Sequence, residues 1–156
     1  MAEKNIDLHL EKIGIKLPLG RPPGAVYKPM VISGNTLYVS GNVPIRDDGT
    51  FIIGRAGDTI SEADAKVAAR QVGLCMLGNM QAELGSLNRV QKLVKTLGMV
   101  NCTPNFQNHP EVINGFSELM VEVFGEENGK GARSAVGMML PRGVAVEVEA
   151  IFELRG

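Results

Sequence analysis

Apolar residues fall at helical spacing in three stretches of the 156-residue chain and at strand-like spacing in most of the rest. Residues 3–14 form the first candidate helix. Ile6, Leu10 and Ile13 lie on one side of it, and Pro18, Pro22 and Pro23 close it off, because proline cannot continue a helix. Two β-rich runs, Met30 to Ile32 and Thr36 to Ser40, flank Ser33-Gly34-Asn35 and predict a hairpin. Asp47-Asp48-Gly49 is a further turn signal. At Ser61 the period becomes helical: "SEAD" is a capping box with Asp in place of Glu. Ala65, Ala68, Val72, Cys75, Met76, Asn79 and Met80 then form a stripe to about Leu84. The methionines in it read as core filler. Gly85-Ser86 ends this helix, "VQKLVKTLGMVNC" reads as a strand, and Asn108-His109-Pro110 opens a third helix with Pro in its first turn. Its stripe is Val112, Ile113, Phe116, Leu119, Met120 and Val123, stopped by Gly125.

The last segment reads as two strands, Arg133 to Leu140 and "VAVEVEAIFEL", joined by Pro141-Arg142-Gly143. In the second, Val146, Val148, Ala150 and Phe152 share one face and Glu147, Glu149, Ile151 and Glu153 the other. Read as a hairpin, this gives the order hairpin, helix, strand, helix, hairpin. The economical packing is an α+β domain, one sheet with two main helices on one face. The other sheet face mixes polar and apolar groups and needs a cover, for which a second subunit is one candidate. No repeat or low-complexity linker divides residues 1–156, so a single domain is expected.

Composition removes several functions. With 44% hydrophobic and 21% charged residues the chain is an ordinary soluble one. A formal net charge of −1 and 4% aromatic residues, without Trp, argue against a general nucleic-acid binder, which needs a basic footprint and stacking rings. No apolar run reaches the roughly 18–20 residues of a membrane span. The charged opening "MAEKNIDLHLEKIGIKLP" lacks a signal-peptide core, so a cytoplasmic location is expected. Cys75 and Cys102 each lie in an apolar segment, where a free thiol behaves as a small hydrophobe. His9 and His109 have no Cys or carboxylate at metal-ligand spacing, so a metal site is not expected. No Ser-His-Asp or Cys-His pairing can be read from the order of residues. Gly129-Lys130 departs from a phosphate loop: three residues separate Gly125 from Gly129, Gly131 follows the Lys, and a strand comes next. A polar loop is the simpler reading.

One residue stands out. Arg133, in "GARSAVG", heads a small apolar run that otherwise reads as a buried strand. A buried guanidinium needs a partner. Two readings are open. Arg133 could clamp a small carboxylate through paired hydrogen bonds, with a nearby Glu to position water and move protons. Alternatively it forms a structural Arg–Glu pair across the final hairpin, or lies on a solvated strand face.

At this hairpin the sequence resembles the RidA family, also called YjgF or endoribonuclease L-PSP. "ARSAVGMMLPRGVAVEVEAIFEL" is similar to the family run A-R-S/T-x-V, a short strand, L-P, then V-E-I-E-A. "VYKPMVISGNTLYVSGNVP" looks like the family's first hairpin, "LNRVQKLVKTLGMVN" like its D-V-x-K-x-T-V-F-V strand, and "VINGFSELMVEVFG" like its V-N-x-x-Y-x-x-F-F helix. The resemblance covers about residues 25–155 and leaves residues 1–24 as an N-terminal extension. That extension, "GRAGDTISEADAKVAARQ" and "GKGARSAVG" resemble a longer branch of the family.

The resemblance implies a chorismate-mutase-like fold assembled as a homotrimer, with sheets packed inside and sites between subunits. It implies hydrolysis of a reactive enamine or imine, such as 2-aminoacrylate, to a 2-keto acid and ammonia, without metal or organic cofactor. It also implies a partner class: a small carboxylate-bearing imine or keto acid, with neither nucleic acid nor membrane. By position, Arg133 matches the arginine that holds the substrate carboxylate and Glu147 the acid that positions water. Tyr27, Ser40 and Asn114 match residues of the pocket. Ala135 stands where many members carry Cys, which removes thiol chemistry there but keeps the backbone the family uses. The path from Arg133 to Glu147 is one residue shorter than the family pattern, the loss falling before Leu140-Pro141, and Ser117 alters the helix beside the pocket. Two other functions remain compatible with the resemblance: a carboxylate-binding trimer without turnover, and RNA cleavage, which the charge and scarce aromatics disfavour.

Overall fold

A computed structural model describes residues 5–156. The elements, in chain order, are α1 (Ile6–Lys12), β1 (Met30–Ser33), β2 (Thr36–Asn42), α2 (Glu62–Leu84), β3 (Val90–Val100), α3 (His109–Phe124), the single turn α4 (Glu126–Gly129), β4 (Ala132–Gly137) and β5 (Val146–Leu154). The start of the first predicted helix lies outside the described residues. Within them Asn5 caps α1, its side chain accepting from the Leu8 amide, and Ile6 and Leu10 are buried.

Local signals produced local structure. Gly34-Asn35 is the tight turn between β1 and β2, which pair antiparallel from Ser33–Thr36 outward. Gly34 adopts φ +61°, a conformation that costs glycine little. Ser61 Oγ accepts from the Asp64 amide and donates to the Asp64 carboxylate, so the box closes side chain to side chain. Gly85 ends α2 in the left-handed conformation, φ +79°. The stripes of α2 and α3 are buried, Asn79 alone remaining partly exposed.

The final hairpin is not formed. The sheet order is β1-β2-β5-β3-β4, so β3 separates β4 from β5. β4 runs parallel to β3 at the sheet edge, and β5 pairs antiparallel with both β2 and β3. Every helix-facing residue of β5 is buried, whereas β4 has six residues, none of them fully buried. A strand so apolar on one face gains most in the centre, and a short, half-exposed one suits the edge. The parallel β3–β4 step needs a crossover, which α3 supplies.

The result is an α+β domain with one mixed five-stranded sheet and α2 and α3 on one face. Between them lies the core, with Leu37, Met76, Leu77, Ile113, Phe116 and Phe152 fully buried. The predicted alternation of β5 holds: Val146, Val148, Ala150 and Phe152 face the helices. The opposite face is left open.

Candidate functional site

The register of β4 decides where its side chains go. Arg133 pairs with Thr96, which pairs with buried Ala150; Ala135 pairs with Gly98, which pairs with buried Val148. Paired residues share a sheet face, so Arg133 and Ala135 face α3. The helix approaches closely here: a Cβ on Gly98 would stand 2.6 Å from Ile113 Cγ1.

Arg133 meets neutral groups on α3. Its Nη1 donates to Asn114 Oδ1 at 2.8 Å and Ser117 Oγ at 3.1 Å, and Nη2 makes a longer bond, 3.4 Å, to the Pro110 carbonyl. Asn114 is oriented in turn, because its Nδ2 donates to Glu111 Oε2 at 3.1 Å. Lys66 of α2 bridges Glu111 (2.9 Å) and Glu118 (3.0 Å). The Lys66 hydrogen bond holds the Glu111 carboxyl below its ordinary pKa, so it stays an acceptor. This chain turns the Asn114 amide oxygen toward Arg133. Among the described residues no Asp or Glu pairs with the guanidinium, and β4 and β5 are not neighbours, so a cross-hairpin ion pair is ruled out. A guanidinium carries five N–H donors; the three bonds to α3 leave two of them.

Glu147 lies elsewhere. It pairs with Met99, three residues from Thr96 in an unbroken register, and therefore on the open face. Its carboxylate fills the space over Gly41, where a Cβ would come 2.1 Å from Oε1. Gly41 sits in a bulge of β2 between Val39 and Asn42. Burial first, and the Glu149 charge second, push the Glu147 carboxyl above its ordinary pKa. Residues 138–145 connect β4 to β5 and include Arg142 at φ +59° and Gly143 at φ +67°. The register of β5 is set by its own buried face.

Tyr27 and Ser40 come together. Both line a cavity of about 310 Å³ between the β2 bulge and residues 18–29, shared with Asn42, Asn79, Arg21 and Arg142. Ser40 Oγ donates to the Lys28 carbonyl at 2.7 Å. Arg142 stacks over Phe51, 5.5 Å from its centroid. The candidate residues therefore fall in two separate places. Arg133 with Asn114 lies on the helix face, beside Ala135; Glu147, Tyr27 and Ser40 lie toward the open face and the bulge.

Ser117, singled out in the sequence for altering the helix beside the pocket, is a direct partner of Arg133, one helical turn from Asn114 at i, i+3. Sequence reasoning passed over one further group. Cys102 and His109 form a pair, Sγ to Nε2 3.3 Å, although no Cys-His pairing is legible in the order of residues. Cys102, past the end of β3, packs against the core as a small hydrophobe while staying partly exposed. Cys75 is the buried thiol.

The fold of one mixed sheet with two helices on one face has relatives. The family model described as "YjgF/chorismate mutase-like, putative endoribonuclease" matches residues 8–144. The chain belongs to the YjgF family. It is 42% identical to protein TCP17 of Trypanosoma cruzi, over 99% of this chain and 97% of that protein. It is 38% identical to Atu1372 of Agrobacterium tumefaciens, a protein of unknown function, with TM-score 0.85 over 96% of this chain and 94% of the other. Against RidA from an Antarctic Psychrobacter it is 26% identical with TM-score 0.58, over 86% and 93% of the two chains. Within the YjgF family the chain thus groups with a divergent branch that includes Atu1372 and TCP17.

Proposed function

We propose that the protein hydrolyses reactive enamines and imines, converting small 2-imino acids, such as the tautomer of 2-aminoacrylate, to 2-keto acids and ammonia. The observation that carries this reading is Arg133: a guanidinium fixed by neutral partners, with two donors left for a carboxylate. Burial and the Glu149 charge raise the Glu147 carboxyl above its ordinary pKa, which makes it a better proton acceptor than an exposed carboxylate. Water held by Glu147 adds to the C=N carbon while the imine nitrogen takes a proton. The adduct then loses ammonia as the C=O bond forms. An imine carbon is already electrophilic, so positioning supplies most of what is needed.

In this reading a second copy completes the site, because Arg133 and Glu147 face opposite sides of one sheet. Arg133 of one protomer joins Glu147, Tyr27 and Ser40 of its neighbour in a homotrimer whose open faces pack inward. Val31, Tyr38, Leu97 and Ile151 on that face support such a cover.

The experiment is keto-acid release from freshly generated 2-aminoacrylate. Acceleration over the spontaneous rate, lost in Arg133→Ala, is expected; no acceleration, or an equally active Arg133→Ala, overturns the proposal. If ligand soaks place a keto acid on Arg133 without turnover, the protein is a carboxylate-binding assembly instead. The net charge of −1 disfavours RNA as the substrate.

A further inference from the structure

Three residues of β4 share the helix-facing side: Arg133, Ala135 and Gly137. At Gly137 the strand meets a second group of functional side chains. A Cβ there would stand 2.7 Å from Cys102 Sγ and 3.0 Å from His109 Nε2, so glycine makes room for the pair. The two side chains come from different elements, Cys102 from the segment after β3 and His109 from the first residue of α3, and meet at 3.3 Å. Phe106 holds the imidazole edge to face, ring centroids 5.4 Å apart at 87°. Arg55 donates through Nε to the Cys102 carbonyl at 3.3 Å, bringing a positive charge to the same spot. Cys102 and His109 are both partly exposed residues. A thiol next to an imidazole, a cation and the positive end of a 16-residue helix has the surroundings of a nucleophile.

We propose that Cys102 and His109 form a second reactive site, in which the thiol captures small α,β-unsaturated carbonyl compounds. Sγ attacks the β-carbon as its proton passes to His109 Nε2. The C=C electron pair shifts to the α-carbon, which takes the proton back from Nε2. The net change is addition of S–H across the double bond, with no oxidant and no leaving group. A soft thiol suits a soft, conjugated carbon, and the single imidazole serves as base and then as acid. Burial pushes the thiol pKa up and the Arg55 charge acts against it, so the protonated thiol depends on His109 to react at neutral pH. The charged and titratable groups facing Cys102 are Arg55, from the connection between β2 and α2, and His109, from α3; β4 presents uncharged Gly137. The inference is independent of imine hydrolysis.

The test is the rate at which acrylamide modifies each thiol of the intact protein, followed by peptide mass from pH 6 to 10. Cys102 is expected to react at pH 7 at least about tenfold faster than Cys75, with a rate rising by less than tenfold per pH unit. His109→Gln is expected to slow Cys102 about tenfold at pH 7 and to match the wild type near pH 10, where hydroxide generates the thiolate. Equal rates for the two proteins at pH 7, or a His109→Gln deficit that persists unchanged at pH 10, overturn the proposal. Should His109→Gln not fold, the wild-type profile decides. A Cys102 rate that climbs the full tenfold per unit from pH 7, as for a thiol acting alone, rejects a role for His109.

Discussion

Arg133 is set apart less by its charge than by the neutrality of what holds it. Replacing one neutral partner by an acid should therefore be instructive. Asn114→Asp puts a carboxylate where Oδ1 now lies, 2.8 Å from Nη1. On the proposed function that carboxylate competes with the substrate's, so KM for the imino acid is expected to rise about tenfold or more while the protein stays folded. Glu147 offers a test without substrate. Its pKa, raised above 4.5 by burial and Glu149, gives a contribution to stability that is full below the unfolded value and is lost as pH rises through the folded one. Wild type is thus expected to lose stability relative to Glu147→Gln between acidic and neutral pH, read from urea midpoints at pH 4 and pH 7. Arg133, Asn114 and the face of Glu147 were legible in the sequence, the first two from a motif and the third from strand alternation. That Arg133 and Glu147 face opposite sides was not, because it depends on pairing between three separate strands. The Cys102–His109 contact was not legible either, since only the end of the sheet brings those two segments together.

The elements that sequence reading placed well are those whose signals are local: a two-residue turn, a Ser cap, a glycine stop. β4 and β5 share a local signal too, the turn at Pro141-Arg142-Gly143, but turn chemistry does not decide which strands pair. The demand to bury Val146, Val148, Ala150 and Phe152 draws β5 into the sheet centre instead. Contact between α2 and α3 is equally non-local. Gly115 lets the backbones touch: a Cβ there would stand 2.1 Å from the Lys66 carbonyl and 3.2 Å from the Arg70 amide. Gly115→Ala is expected to destabilise the protein by about 1–3 kcal/mol through overpacking, measurable by denaturant unfolding. Asn114 and Ser117 flank that position on the chain, so the same substitution should also weaken carboxylate binding.

Taken whole, the molecule has one finished sheet face and one unfinished. Tyr38 and Val31 are about half exposed, at 48% and 47%, and line a shallow groove with Leu97 and Ile151, beside Lys95 and Glu149. If a trimer covers this groove, sedimentation should give three copies per particle. Ile151→Lys, adding a second cation next to Lys95, should then shift the protein toward monomer and abolish imine hydrolysis together with assembly. The topology also governs how the chain acquires its shape. β5, the central strand, follows the other four strands in the sequence, and it alone joins β2 to β3. A ribosome releases it after those four. Until Leu154 emerges, the β1–β2 hairpin and the β3–α3–β4 unit have no strand to join them. Closure is then a single late, long-range event, which places this protein among slow folders of high contact order and leaves its nascent form in need of protection.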